Sequence, residues 1–362
     1  MATFMSQRSI PYILMRGGTS KGAYFLRSDL PKNTDALAEL LANVIGAGHP
    51  LNIDGIGGGS PITTKVAMLS KSDDDWADID YFFAQVGVED RRVDFNPTCG
   101  NILVGVGPAA LEMHLLPTHS KQTIVNIRAT NTGARVTATI LTDAEGAVTY
   151  DGDVAIDGVP NTAAPIKLQF RDVVGGLTGK MFPTGKTIEK VNGDIVTCID
   201  VTVPMVIGRA CDFGLSGNET AAALNDNKTL FARIENIRVK AGEKMGLGDV
   251  SGSVVPKFGL IESPRQDGHA LVRYFTPTIC HPSLAVTGSQ CLASCLLSHN
   301  TVAEGIAQFP DRGPLTIKLE HPMGLLDVLV DYNRTKDTLD VFSVGMVRTA
   351  RKIAAGHVFI AH

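Results

Sequence analysis

The sequence predicts an α+β protein in which one unit is used twice. A strand, a turn and a second strand, then a helix, a lysine-bearing strand, an aromatic strand and a cysteine leading into a helix-like run, appear between Ile10 and Leu116. The same order returns between Thr197 and Leu297. The run Cys280 to Leu297 also lies over Cys99 to Leu116 without a gap, and both end in Leu-Leu. Length agrees, because 362 residues exceed what one hydrophobic core usually supports. The similarity lies in the order of elements rather than in identity.

In the first half, Ile10 to Met15 reads as a buried strand running into Arg16-Gly17-Gly18-Thr19-Ser20-Lys21-Gly22, and Ala23 to Leu26 returns as a second strand. The glycines suit a hairpin tip, where positive φ or a close ligand approach is needed. A helix is expected to begin around Asp29-Leu30-Pro31, with helical periodicity over Thr34 to Ile45. After the glycine-rich run Asp54 to Ser60 come strands at Thr63 to Leu69 and Ile79 to Val86. The cysteine loop follows, with its small-residue run Ile102 to Leu111, and then strands at Thr123 to Ala129, Arg135 to Leu141, Val148 to Ile156 and Ile166 to Phe170.

In the second half, Thr197 to Ile207 repeats strand–turn–strand and Lys228 to Lys240 supplies the helix, with Leu230, Ile234 and Ile237 on one face. Val254 to Ile261 mirrors the first lysine strand, Lys257 included, and Leu271 to Phe275 mirrors the aromatic strand. Closing strands are expected at Leu315 to Leu319 and Leu325 to Val330. The boundary falls near Asp172 to Gly185, giving domains 1–178 and 179–362 with terminal strands free to cross between them.

Composition narrows the class. Hydrophobic residues make up 44% and charged residues 19%, an ordinary globular balance. The formal charge of −4 offers no basic field for nucleic acid. No transmembrane run or leader is visible, so no membrane partner is expected. Six cysteines without tight pairing read as reduced thiols in the cytoplasm, with Cys291 and Cys295 as packing groups on an apolar helix. His281, His321 and His357 lack metal-ligand spacing, so no metal is expected.

The chemistry centres on Asp94-Phe95-Asn96-Pro97-Thr98-Cys99-Gly100-Asn101. The first turn of a helix leaves N–H groups free and carries the positive end of the macrodipole. A cysteine there is poised as a proton donor or acceptor; alternatively it is a small apolar residue at a helix start. Gly100 and Asn101 favour the first reading. Cys280 is its counterpart, but His281-Pro282 replaces Gly100-Asn101 and weakens an anion cradle there. The pair as a disulfide conflicts with the compartment.

Two helix N-termini facing a common cleft would suit a di- or tricarboxylate and the charge that develops on deprotonation next to a carbonyl. Lys65 is either an exposed edge residue or, since alternation sets it opposite Thr64 and Val66, a base directed into the cleft. Arg16 and Ser20 suit carboxylate binding, or else a solvated hairpin tip. Asp54 to Gly59 is not a dinucleotide fingerprint, because no strand–turn–helix with a later acid surrounds it.

Met15 to Gly22, Asp54 to Gly58, Thr64 to Ala67, Cys99-Gly100-Asn101 and Met245 to Ser251 together resemble the PrpF family over nearly the whole chain. Within it the sequence is most similar to 4-oxalomesaconate tautomerases and isomerases near them. The resemblance implies a diaminopimelate-epimerase-like fold: two pseudo-symmetric domains, each a curved, mostly antiparallel sheet around a central helix. It implies a 1,3-allylic proton shift on a small unsaturated carboxylate, without a cofactor. The family's catalytic lysine, cysteine and loop serine fall on Lys65, Cys99 and Ser20. Cys280 is a candidate second acid/base. Arg16, Gly17, Gly18, Thr19, Gly57, Gly58, Gly100, Asn101 and His281 are the expected substrate contacts. The expected partner is the substrate, with a homodimer as the assembly allowed for. Alternatives are 2-methylaconitate or 3-methylitaconate isomerisation, an amino-acid epimerase, or a non-catalytic accessory protein.

Overall fold

A two-residue hairpin opens the fold. Strand β1 (Gln7–Gly17) pairs antiparallel with β2 (Ser20–Leu26), with Gly17 opposite Ser20, so Gly18 and Thr19 alone make the turn. Gly18 has φ +51°, the conformation the first position of such a turn requires. The computed structural model describes residues 7–277 and 279–361. They fall into two units: residues up to Phe170 together with those from Val347 onward, and Arg171–Met346. The division thus comes before the 178/179 boundary read from sequence, and the C-terminal end returns to the first unit.

In the first unit, α1 (Thr34–Ile45) is the crossover that lets β3 (Lys65–Lys71) lie parallel to β2. It starts later than Asp29 to Pro31, because Asn33 caps it, its side chain accepting from Ala36 N–H. Gly46 ends it at φ +75°. The loop up to β3 closes around Asn52, whose amide donates to the carbonyls of Gly46, His49 and Val88 and accepts from Gly59 N–H. Strand β4 (Ile79–Val86) is antiparallel to β3, with the short β5 (Val93–Asp94) against its end. Helices α2 (Gly100–Val104) and α3 (Val106–Glu112) follow, then β6 (Lys121–Ala129), parallel to β4, and β7 (Ala134–Thr142), antiparallel to β6. Strand β8 (Ile166–Arg171) closes this stretch. Val148 to Ile156, expected as a strand, instead makes only isolated bridges, Thr142 to Val148 and Val154 to Ala163.

Alternation divides the sheet into two faces. Tyr24, Ala67, Leu69, Tyr81 and Phe83 pack with Ile102, Leu103 and Val104 of α2. Phe25, Val66, Met68, Ala84 and Val86 pack with Leu37, Leu41 and Val44 of α1 on the other face. The helix-like run after Cys99 is broken at Gly105, where a Cβ would collide with the Tyr24 hydroxyl.

The second unit has the same plan. Strands β9 (Glu189–Val191), β10 (Asp194–Val201) and β11 (Val203–Arg209) are antiparallel neighbours. Helices α4 (Ala221–Asn225) and α5 (Lys228–Lys244) cross over to β12 (Lys257–Glu262), parallel to β11. Strand β13 (Ala270–Thr276) is antiparallel to β12, with β14 (Ile279–Cys280) against its end. The long α6 (Val286–Leu297) precedes β15 (Leu315–His321), parallel to β13, and β16 (Gly324–Arg334) and β17 (Leu339–Arg348) follow antiparallel. Strand by strand, β1-β2-β3-β4-β5-β6-β7 and β10-β11-β12-β13-β14-β15-β16 share pairing and sense, so the duplication extends to topology. The last strand, β18 (Ala350–Ala361), runs antiparallel along β1 in the first unit. Among the described residues no helix is long and apolar enough to cross a membrane.

Candidate active site

On the α2 face of the first unit, the last inward positions of three neighbouring strands hold the chemistry. Gly22 of β2 lies opposite Lys65 of β3, and Lys65 opposite Gln85 of β4. A Cβ at Gly22 would press to 2.5 Å from the Lys65 carbonyl and 3.0 Å from Ile102 Cδ1, so only glycine leaves this corner open. The half-buried Lys65 donates from Nζ to Gln85 Oε1 at 2.6 Å and lies 5.5 Å from the Phe83 ring centroid. Ser20, two residues before Gly22 and on the same face, is 3% exposed. Its hydroxyl has no hydrogen-bond partner among the described residues. Such orphaned hydroxyls are uncommon and mark positions completed by something else.

Cys99 is the N-cap residue of α2, with extended backbone and no side-chain cap bond, so its thiol is not spent on the helix. It is half-buried and packs against the core on the Lys65 face. Two buried phenols seat this helix start: Tyr24 donates to the Ile102 carbonyl at 2.5 Å and Tyr81 to the Cys99 carbonyl at 3.4 Å. Burial pushes both phenols well above their ordinary range, and the nearby Cys99 adds to it. They act as donors rather than as acids.

The glycine loop docks on the same helix start. Asn101 donates from Nδ2 to Thr19 Oγ1 at 3.0 Å, while a Cβ on Gly17 or Gly18 would collide with Asn101. Around Gly100 there is open space: beyond its chain neighbours and the helix's own backbone, no atom lies within 4 Å of where a Cβ would stand. Ser20, Lys65, Cys99, Gly100 and Asn101 thus gather on one face, with Gly17, Gly18 and Thr19 holding the rim.

Other expected site residues lie elsewhere. Arg16 alternates with Met15 and Gly17, so it sits on the opposite face, where Nη1 donates to the carbonyls of Gly18 and Thr349 at 2.9 Å. Burial, and next Arg351, lower its pKa. It shapes the turn from behind. Gly57 and Gly58 are small because Asn52 and Thr63 crowd them.

Cys280 requires a correction. It lies in β14, not at a helix start; α6 begins only at Val286, capped by Ala285. As the residue that caps the helix, Ala285 takes the place that Cys99 has in the first unit. Pro282 disfavours helical backbone at His281, which delays the helix. The Cys280 thiol is 1% exposed and packs with Leu230 and Ile234 of α5, and burial pushes it up to about 11. It is a core residue. His281 donates its N–H to the Tyr274 carbonyl and its ring accepts from Ser283 N–H at 3.0 Å. The second unit also lacks the glycine turn, since Val201 pairs with Val203 across Thr202 alone. Of the three catalytic candidates only the lysine has a counterpart, Lys257, lowered by burial and Arg238.

Sequence reading missed Gln85, Tyr24 and Tyr81. One signal was available: the inward positions of β4 read Ile79, Tyr81, Phe83, Gln85, an amide ending an apolar row. Among the described residues no three of His, Cys, Asp and Glu gather to hold a metal ion.

A mixed sheet with a helix on its inner face, repeated with the same topology, is the diaminopimelate-epimerase-like fold. The chain is an isomerase on this scaffold. It belongs to the PrpF family, whose description, PrpF protein, matches residues 7–361. It is 46% identical over 354 residues to the protein YbhH of Escherichia coli (strain K12), covering 98% of this chain and 99% of that one. It is 43% identical over 352 residues to the (4E)-oxalomesaconate Delta-isomerase of Novosphingobium sp. (strain KA1), covering 97% and 98%. The crystal structure of a methylitaconate-delta-isomerase superposes with a TM-score of 0.90 at 30% identity, covering 99% of this chain and 97% of the other.

Proposed function

We propose that the protein catalyses a 1,3-allylic proton shift on a small unsaturated di- or tricarboxylate, 4-oxalomesaconate or a close analogue, without a cofactor. The observation that carries this is the placement of the Lys65 amine and the Cys99 thiol on one face of the first unit, beside an unpartnered buried hydroxyl at Ser20. Relatives at 42–43% identity are named for oxalomesaconate, which favours that substrate over methylitaconate, named for a relative at 32%.

Lys65 takes the proton from the carbon next to the double bond. An amine held by an uncharged amide rather than by a carboxylate suits that task. The resulting dienolate carries its charge on a carboxylate oxygen, and N–H groups at Gly100 and Asn101, with the Ser20 hydroxyl, are the donors that meet it. The open space at Gly100 leaves room for that approach. The proton returns to the far carbon from the Lys65 ammonium or from the Cys99 thiol; Cys99→Ser separates these routes.

The test is proton NMR in deuterated buffer with 4-oxalomesaconate, 2-methylaconitate and 3-methylitaconate in turn. The proposal expects deuterium entry and isomer formation fastest with oxalomesaconate. No exchange with any of the three overturns it.

A further inference from the structure

We propose that Gln85 is a positioning residue for Lys65: its side-chain amide aims the amine and, being uncharged, leaves that amine free to act as a base. This rests on Lys65 being the base.

The argument begins with the amide's orientation. Gln85 Nε2 is surrounded by oxygens: Pro61 O at 3.2 Å, Thr64 O at 3.5 Å, Thr64 Oγ1 at 3.2 Å and Val86 O at 3.3 Å. Main-chain carbonyls only accept, so the NH2 end must point at them and the oxygen end at Lys65. The two ends are not interchangeable. Gln85 Oε1 therefore presents a fixed acceptor 2.6 Å from Nζ, on a rigid strand position directly opposite Lys65. The Thr64 hydroxyl is itself tied to the Val86 carbonyl at 2.7 Å, so the group holding the amide is also held.

Charge decides why an amide suits this place. A carboxylate here would pair with the ammonium and favour the protonated amine, which cannot accept a proton. Among the described residues the titratable groups on this face include Tyr24 of β2, Tyr81 of β4, Asp94 of β5, Cys99 at the start of α2, and Tyr150, whose hydroxyl donates to Glu112. Burial raises the pKa of all three phenols, and they are neutral at ordinary pH. Asp94 directs Oδ1 to the N–H and side-chain amide of Asn96. Gln85 is thus the polar side chain that meets the amine directly.

The experiment compares wild type, Gln85→Met and Gln85→Glu in two measurements. One is the pH profile of isomerisation. The other is acylation of the Lys65 amine against pH, read by mass spectrometry of its peptide, which needs no activity. Gln85→Met should lower kcat by roughly 10- to 100-fold, the scale of a mispositioned catalytic group, with KM within about 3-fold. Gln85→Glu should move Lys65 acylation to higher pH by about 1 unit or more, and the rising limb of the rate profile with it. If acylation moves and the rate profile does not, Gln85 does hold the amine but Lys65 is not the base. If acylation stays put in Gln85→Glu and Gln85→Met keeps full kcat, the inference is overturned. Should Gln85→Glu fail to fold, the kcat of Gln85→Met decides alone.

Discussion

Gly17 and Asn101 meet main chain to main chain: a Cβ on Gly17 would collide with the Asn101 carbonyl oxygen. The turn between the first two strands is thereby locked onto the start of the helix that Cys99 caps. Because the clashing atom is backbone, no side chain can swing aside to relieve it. Gly17→Ala is expected to lower stability by about 1–3 kcal/mol, the usual cost of overpacking, and to lower activity. Thermal unfolding and steady-state kinetics check both.

Gly100→Ala should behave in the opposite way. Beyond the chain neighbours and the helix's own backbone nothing lies within 4 Å of the added methyl, and alanine is the better helix former by about 1 kcal/mol. The variant should be as stable as wild type or more so, yet bind substrate less well, because the methyl occupies the space proposed for a substrate carboxylate. A rise in KM of about 10-fold or more with unchanged melting temperature is the expected pattern.

Thiol chemistry should separate the six cysteines. Cys211 is exposed and Cys99 half-buried, whereas Cys198, Cys280, Cys291 and Cys295 are buried. Burial pushes Cys198 and Cys295 up to about 12 and Cys280 to about 11. Native protein at pH 8 should therefore label at Cys211 and Cys99, and substrate analogues should protect Cys99 alone. Mass spectrometry of labelled peptides reads this directly.

Burial of Cys280 also sets a pH dependence. Its thiol titrates at about 11 in the folded protein against an ordinary 9, so between those values the native state keeps a proton the unfolded chain has lost. This contribution is full below about pH 9 and is lost as pH rises towards 11, on the order of 2 kcal/mol in all. Wild type should lose stability faster than Cys280→Ala over that window in denaturant titrations. Parallel curves would contradict the assignment.

Much of this was legible in the sequence, and the failures are informative. Periodicity located α1 over Thr34 to Ile45, and the mirrored order of elements located the duplication. The gapless overlay of Cys280 on Cys99 misled, because similarity of composition cannot tell a residue six positions before a helix from one that caps it; the pairing of β14 with β13 decided that. Arg16 was misplaced for a simpler reason. The glycines that follow it, Gly17 and Gly18, make it look like part of a loose tip, but it is still in a strand, and strand alternation turns it away from Ser20. The phenols of Tyr24 and Tyr81 read as core aromatics, which they are; only the fold brings their hydroxyls to the first turn of α2.

The central claim is that the amine of Lys65 moves the proton. The most direct measurement is deuterium incorporation into 4-oxalomesaconate by Lys65→Ala in deuterated buffer, with Cys99→Ser alongside. The account predicts that Lys65→Ala loses exchange by 10²-fold or more, about the worth of a general base, with its melting temperature and Cys211 labelling intact. Exchange at the wild-type rate in a folded Lys65→Ala protein would contradict it.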